Sequence, residues 1–190
     1  MYKRQEIDTG DIISQERVEI LPTDNVGDVH DKLMHLGARL TLDTVNHILK
    51  GDLVTIPQEE LLAQGEEATP APKIFKETCH IDWARPAIGI HNLVRGLSPY
   101  PCAWSELYDA TAAESPAVYN LKILETRVLQ EEAPDGSTPG TIISDNRRLA
   151  IVAGDRRLIE ILRLQPAGKK AMTASEFLRG AHLPESALLR

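Results

Sequence analysis

Residues 140–164, GTIISDNRRLAIVAGDRRLIEILRL, decide what kind of domain this chain builds. Three short apolar runs, Gly140–Ser144, Arg148–Ala153 and Arg157–Leu164, are separated by Asp145-Asn146 and Gly154-Asp155. Asn and Asp side chains bond their own backbone and Gly tolerates positive φ, so these separators are turn chemistry. Short runs between such turns are strands rather than helices. Working outward, Ala103–Tyr108 and Ala117–Leu129 add two strand candidates, and Asp135-Gly136-Ser137 adds another turn. Five strands joined by tight turns predict a small, mostly β, OB-like barrel.

Helices flank this core. Thr173 followed by Glu176 fits a capping box, which opens a helix through Phe177 and Leu178 that stops at Gly180. Upstream, Pro86 suits a first helical turn, Ala87, Ile90, His91 and Val94 share a face, and Gly96 ends the helix. Ser98-Pro99-Tyr100-Pro101 blocks any continuation. Nearer the start, Leu21-Pro22-Thr23-Asp24-Asn25 supplies a turn and an N-cap. From Val26, apolar residues at Val29, Leu33, Leu36, Leu40, Val45, Ile48 and Leu49 mark a helix over 26–49, with Gly51 as its stop. Such a stripe requires a packing partner.

Residues 1–20 predict a strand at Tyr2–Ile7, a turn at Asp8–Asp11 and a second strand at Ile12–Ile20. Pro57, Pro70 and Pro72, with Gly65, Glu66 and Glu67, leave little periodicity over 52–73. The expected organisation is an α/β segment over 1–51, a linker over 52–76, and the barrel domain over 77–190.

Composition narrows the class. Hydrophobic residues make up 42% and charged residues 26%, ordinary for a globular domain. No apolar run is long enough for a transmembrane helix and no signal-peptide h-region opens the chain, so a cytoplasmic location is expected. The net charge is −7, and residues 1–95 hold most of it, with 10 Lys+Arg against 16 Asp+Glu. Bulk charge therefore offers no argument for nucleic-acid binding, which would need a local basic stripe. Cys79 and Cys102 form neither a CxxC pair nor a disulfide framework and are expected as reduced thiols. Cys79 adjoins His80, but no second ligand pair has useful spacing, so no metal is expected.

Several marked strings occur in a telling order. Ile7-Asp8-Thr9-Gly10-Asp11 comes first, then Asp31-Lys32-Leu33 through Leu36-Gly37. Ile81-Asp82-Trp83 and Arg95-Gly96-Leu97-Ser98-Pro99-Tyr100-Pro101 follow, and Gln165-Pro166-Ala167-Gly168-Lys169-Lys170-Ala171-Met172 comes last. In this order the strings resemble the later part of the methionyl-tRNA formyltransferase family. That family transfers formyl from 10-formyltetrahydrofolate to the amino group of methionine carried by initiator tRNA.

The resemblance implies that residues 1–51 are a remnant from the end of a Rossmann-like catalytic domain and that the barrel contacts tRNA. It makes Asp8 the third member of a catalytic Asn–His–Asp group. Family members carry the Asn and the His, then a Ser-Leu-Leu-Pro run, upstream of the acidic turn, and residues 1–190 contain no such segment. A carboxylate there would orient the His and raise its pKa, while Asn and His donors would stabilise the oxyanion. Standing alone, Asp8 has no proton relay to serve, and the chain by itself is expected to be inactive. The formyl-folate pocket would be largely missing.

The tRNA expectation falls on Lys73, Lys76, Arg95, Lys169 and Lys170, with Arg163 as an outsider, through contacts to phosphates. Lys169-Lys170 beside Gly168 is favoured, because a loop brings backbone and side chains to phosphate together. Arg147-Arg148 and Arg156-Arg157 sit at hairpin ends, where charge commonly only solvates. Trp83, Tyr100 and Trp104 either stack on bases or anchor the core and domain junction, and the second role is preferred. His91 is expected in the core. Two other readings remain open: a fragment of a sugar-nucleotide N-formyltransferase, and a non-enzymatic nucleic-acid-binding or interaction module. A monomer is expected of the intact enzyme, with association through bare strand edges and the helix 26–49 face for the fragment.

Overall fold

The computed structural model describes residues 10–61, 70–109, 119–145, 147–181, 183–184 and 186–190. The chain forms two compact units. One holds the described part of Met1–Thr23 with Asp28–Lys73, the other Asp24–Gly27 with Ile74–Arg190.

The first unit is built on α1, Val26–Lys50. Asp28 in its first turn and His47 and Lys50 in its last suit the helix dipole. Gly51 ends it at φ +73°, a left-handed conformation that Gly adopts at no steric cost. No residue of α1 is buried, so its apolar stripe gains little from packing. Ile12–Ile20 is not the expected strand. Only Ile12 pairs, exchanging two 2.8 Å hydrogen bonds with Ile56. The stretch that follows meets α1 through side chains instead: Arg39 binds the Glu16 carboxylate, and Lys32 Nζ donates to the Glu19 carbonyl at 3.3 Å. Alternation without a partner backbone does not make a strand. Among the described residues this unit has no Rossmann-like sheet. Tyr2–Ile7 and Asp8 lie outside the described residues.

The second unit is a nearly closed antiparallel barrel. Its strands are β1 (Ala103–Asp109), β2 (Tyr119–Glu132), β3 (Ile142–Ser144), β4 (Leu149–Val152), β5 (Arg157–Pro166), β6 (Met172–Thr173) and β7 (Ala187–Leu189). They run in the order β3-β4-β5-β2-β1-β7, with β6 added to β5. A bridge from Thr141 to Leu188 and a 2.9 Å bond from Leu189 N–H to the Gly140 carbonyl bring the two edges together. Register shifts between Ile123 and Thr126 and between Val128 and Glu132 mark bulges, which bend the long β2 around the barrel.

Period-two alternation fills the interior. Ala103, Ser105 and Leu107 of β1 are buried, as are Leu121 and Ile123 of β2. All of β4 is buried, because Leu149 and Ile151 join the main core while Ala150 and Val152 pack with Ala133 and Leu158 in a second cluster. Helix α2, Ala87–Leu97, adds Ile90, Val94 and Leu97 to the main core. Each such side chain contributes about 1.5–3 kcal/mol when fully withdrawn from water. Pro86 is the N-cap of α2 rather than a first-turn residue, and Asp155 Oδ1 accepts from Ala87 N–H at 3.1 Å. The helix does not stop at Gly96; it runs on to Leu97, whose side chain is core.

Helix α3, Ala174–Gly180, opens with the expected capping box. Glu176 N–H donates to Thr173 Oγ1 at 3.3 Å, and Thr173 N–H donates back to Glu176 Oε2 at 2.8 Å. Phe177 then meets Tyr119 edge-on, ring centroids 5.4 Å apart.

Candidate functional site

The outward-facing residues of β1, β2 and β5 form the floor of a groove of ≈ 780 Å³ on the second unit. Register sets the floor. Trp104 lies opposite Lys122, and Lys122 opposite Gln165, so an aromatic ring, a cation and an amide form one row across three strands. A second row pairs Glu106 with Asn120, whose carbonyl accepts from Ala167 N–H at 2.9 Å. One wall is the segment leading into a 3-10 turn at Glu77–Cys79, and Tyr100-Pro101-Cys102 forms another.

Trp104 is pinned in the floor. Its indole N–H donates to the Lys76 carbonyl at 2.8 Å, the Lys76 ammonium sits 5.4 Å from its ring centroid, and His80 stacks at 4.3 Å with a 57° tilt. The ammonium over the ring is a cation–π contact. Tyr100 is 81% exposed, and Ile74 and Phe75 are more than half exposed beside it. A cluster of exposed apolar side chains at a groove is a surface set up for contact.

The last wall is the turn Pro166–Gly168. Gly168 takes φ +72°, Lys169 N–H donates to the Pro166 carbonyl at 3.0 Å, and Gln165 Nε2 donates to the Lys169 carbonyl at 2.8 Å. Lys169 and Lys170 follow directly and are exposed.

Charge in this unit is unevenly committed. Arg127, Arg148 and Arg156 are paired with Glu160, Glu131 and Asp135. Lys76 and Lys122 line the groove, and among the described residues neither lies within ion-pair range of a carboxylate. Among the described residues Glu106 is the single carboxylate in the lining. It accepts from the Tyr108 hydroxyl at 2.6 Å, a bond that holds the tyrosine pKa above its usual value. The buried Cys102 thiol is also pushed up, by loss of solvent first, and its Sγ donates to the Pro99 carbonyl at 2.8 Å. A thiol held protonated in this way is not a nucleophile.

The expected site residues divide. Lys76 lines the groove, and Lys169 and Lys170 adjoin its rim. Lys73 belongs to the first unit and Arg163 is exposed on β5. Arg95 is engaged within its own unit, donating to Asn92 Oδ1 at 2.8 Å and to the Asp24 carbonyl at 2.9 Å. Of the three aromatics, Trp83 is core, Trp104 is half-buried in the floor, and Tyr100 is largely exposed. His91 is half-buried rather than core, with Nδ1 3.0 Å from Thr126 Oγ1. Lys122, Glu106 and Asn120 escaped the sequence. The alternation of β1 places Trp104 and Glu106 on one face, but their cross-strand partners follow only from register.

Cys79 and Cys102 are both free. Among the described residues no group of three or more His, Cys, Asp or Glu could hold a metal ion, and no helix is long and apolar enough to cross a membrane.

A family model described as formyl transferase, C-terminal domain, matches residues 73–182. The chain is 48% identical over 187 residues to the methionyl-tRNA formyltransferase of Bacteroides fragilis, an alignment covering 97% of this chain and 55% of that protein. It is 48% identical to the enzyme of that name from Phocaeicola vulgatus and 41% identical to that from Porphyromonas gingivalis. Those alignments cover 94% and 93% of this chain, and 53% of each relative. The chain thus spans about half the length of the curated relatives it matches. Among solved structures, HypX from Aquifex aeolicus in complex with tetrahydrofolic acid superposes with a TM-score of 0.63 at 14% identity, over 95% of this chain and 30% of that one. A HypX variant gives 0.65 at 15% over the same shares. At this identity the likeness is one of fold.

Proposed function

Because the chain belongs to the formyl transferase C-terminal domain family, we propose that it is the C-terminal part of a methionyl-tRNA formyltransferase and that its OB-like barrel holds initiator methionyl-tRNA. The observation that carries this reading is the groove. It joins the Gln165–Gly168 turn, two lysines outside ion-pair range of any carboxylate among the described residues, and an aromatic floor on one face of a barrel. Lysines of this kind engage phosphates, and aromatic rings on a barrel face suit nucleic acid. Lys76, Lys169 and Lys170 supply the phosphate contacts expected from the sequence, and Lys122 adds another; Lys73 and Arg95 do not line the groove.

In this reading residues 1–51 belong to the end of the catalytic domain, 52–76 link the parts, and 77–190 bind tRNA. Asp8 would orient the catalytic His of an intact enzyme, where the methionine amine attacks the formyl carbon of 10-formyltetrahydrofolate. The carboxylate stabilises the cationic imidazole that takes the amine proton, and neighbouring donors hold the oxyanion. The intermediate then collapses by breaking the bond between the formyl carbon and the folate nitrogen, and the imidazolium returns the proton to that nitrogen as tetrahydrofolate leaves. Residues 1–190 include no Asn and His upstream of Asp8. To residues 1–190, taken alone, we therefore assign tRNA binding without formylation. The names of the relatives favour the tRNA enzyme over a sugar-nucleotide formyltransferase.

The test pairs two assays on the purified chain. Filter binding should detect initiator tRNA with an affinity that falls steeply as salt rises, while formylation stays at the no-enzyme level. Absence of tRNA binding at low salt would overturn the binding role. Formylation above the control would overturn the inactivity.

A further inference from the structure

We propose that the groove is a site for unpaired RNA nucleotides that carry an exocyclic amino group, stacked on Tyr100 and Trp104, with phosphates at Lys76 and Lys122 and the amino group received by Glu106. This deepens the tRNA reading and rests on it.

One physical principle and two observations point to unpaired bases rather than a duplex. A ring face rewards only a base whose own face is free, and in a duplex those faces are already stacked. Trp104 is fixed in the floor by its bond to the Lys76 carbonyl, and a base takes the ring face now covered by the Lys76 ammonium, 5.4 Å from the centroid, as that ammonium turns to the phosphate. Tyr100, 81% exposed on the wall, supplies a second ring open to solvent.

Charge orients the nucleotide. The two lysines occupy the row that contains Trp104, Lys122 lying directly opposite it and Lys76 above its ring. The second row holds Glu106 opposite Asn120. A phosphate is attracted to the first row and repelled by the carboxylate of the second. The base then extends toward Glu106, an acceptor-only group when ionised. Adenine, cytosine and guanine offer an exocyclic amino donor to it, whereas uracil offers only its ring N3–H, flanked by the acceptors O2 and O4 that the carboxylate repels. Tyr108 occupies one carboxylate oxygen of Glu106 and leaves the other for the base.

The experiment titrates the full chain with oligoadenylate and oligouridylate tetramers, a closed RNA hairpin and initiator tRNA, following Trp104 emission and competition. Oligoadenylate is expected to quench emission, to displace tRNA, and to bind at least about tenfold tighter than oligouridylate, with the hairpin weaker still. Tyr100→Ala and Lys122→Gln should each weaken oligoadenylate binding about tenfold. Glu106→Gln, which can donate as well as accept, should shrink the adenylate-to-uridylate ratio. If tRNA binds but oligoadenylate neither quenches nor competes, the nucleotide site is refuted while the tRNA reading stands. Equal affinity for the two tetramers removes the role of Glu106. If tRNA itself fails to bind, both fall.

Discussion

The indole N–H of Trp83 donates to Ser105 Oγ at 2.9 Å, and that hydroxyl donates onward to the Arg190 carbonyl at 2.7 Å. Trp83 is 4% exposed and Ser105 not at all. The relay joins the segment before α2, the middle of β1 and the residue after β7 in the interior. Removing the middle member strands the buried Trp83 N–H, while the Arg190 carbonyl keeps the Glu106 backbone N–H at 3.0 Å. Ser105→Ala is expected to destabilise the barrel by about 1–3 kcal/mol. Urea denaturation should show a lower midpoint with an unchanged slope. A midpoint equal to wild type would mean that water replaces the hydroxyl.

Gly154 packs so closely under Ala84 that a Cβ there would lie 1.8 Å from the Ala84 carbonyl oxygen, while its own N–H donates to Arg85 at 2.9 Å. Gly154→Ala must therefore move backbone, and is expected to cost more than about 3 kcal/mol. Gly136 is the control. It has φ +81° and open space around it, so Gly136→Ala should cost only about 1 kcal/mol. Similar melting temperatures for the two variants would contradict the packing argument.

Two groups set separate pH windows for the barrel. Burial, then the nearby Arg95 charge, pushes the His91 pKa below 6.5. The unfolded chain then binds the proton more readily, so the stability His91 permits is intact above 6.5 and is lost as pH falls toward the folded pKa. The Glu176 carboxyl is also lowered, by the Thr173 backbone N–H first and its hydroxyl second. Its contribution is present above 4.5 and disappears at more acidic pH. His91→Gln should flatten the melting-temperature profile only in the upper window, and Thr173→Ala only in the lower one, with a loss of about 1 kcal/mol at neutral pH. A single merged decline, unaffected by either change, would be the adverse result.

Replacing Lys169 and Lys170 together by Ala should weaken tRNA binding about tenfold and reduce the slope of log affinity against log salt by about 2. Unchanged slope would assign both lysines to solvent.

The barrel was legible where turn chemistry is dense. Asp145-Asn146 and Gly154-Asp155 delimit β3, β4 and β5 to within a few residues, and Thr173 with Glu176 marks α3. β6 and β7 were not legible, because two and three residues carry no period and are held only by distant partners. Ile12–Ile20 failed for the converse reason, an alternating pattern with one pairing residue. Of the groove, Lys76 and the Gln165–Gly168 string came through the family resemblance. Lys122 and Glu106 gain their meaning from standing opposite Trp104 and Asn120, a relation no local pattern encodes. Arg95 looked available because its partners, Asn92 and the Asp24 carbonyl, include one far away in sequence.

Ser186 reaches back 77 positions to bond Asp109, and β7 then lies along β1. During synthesis β1 emerges from the ribosome long before the strand that will cover its outer edge. For that interval the strand bearing Trp104 and Glu106 presents a bare row of amides to the cell. Its inward side chains Ala103, Ser105 and Leu107 carry no charge, so nothing on the strand itself guards that edge until β7 covers it. The groove is thus half built early, and its stability is completed only when β7 arrives.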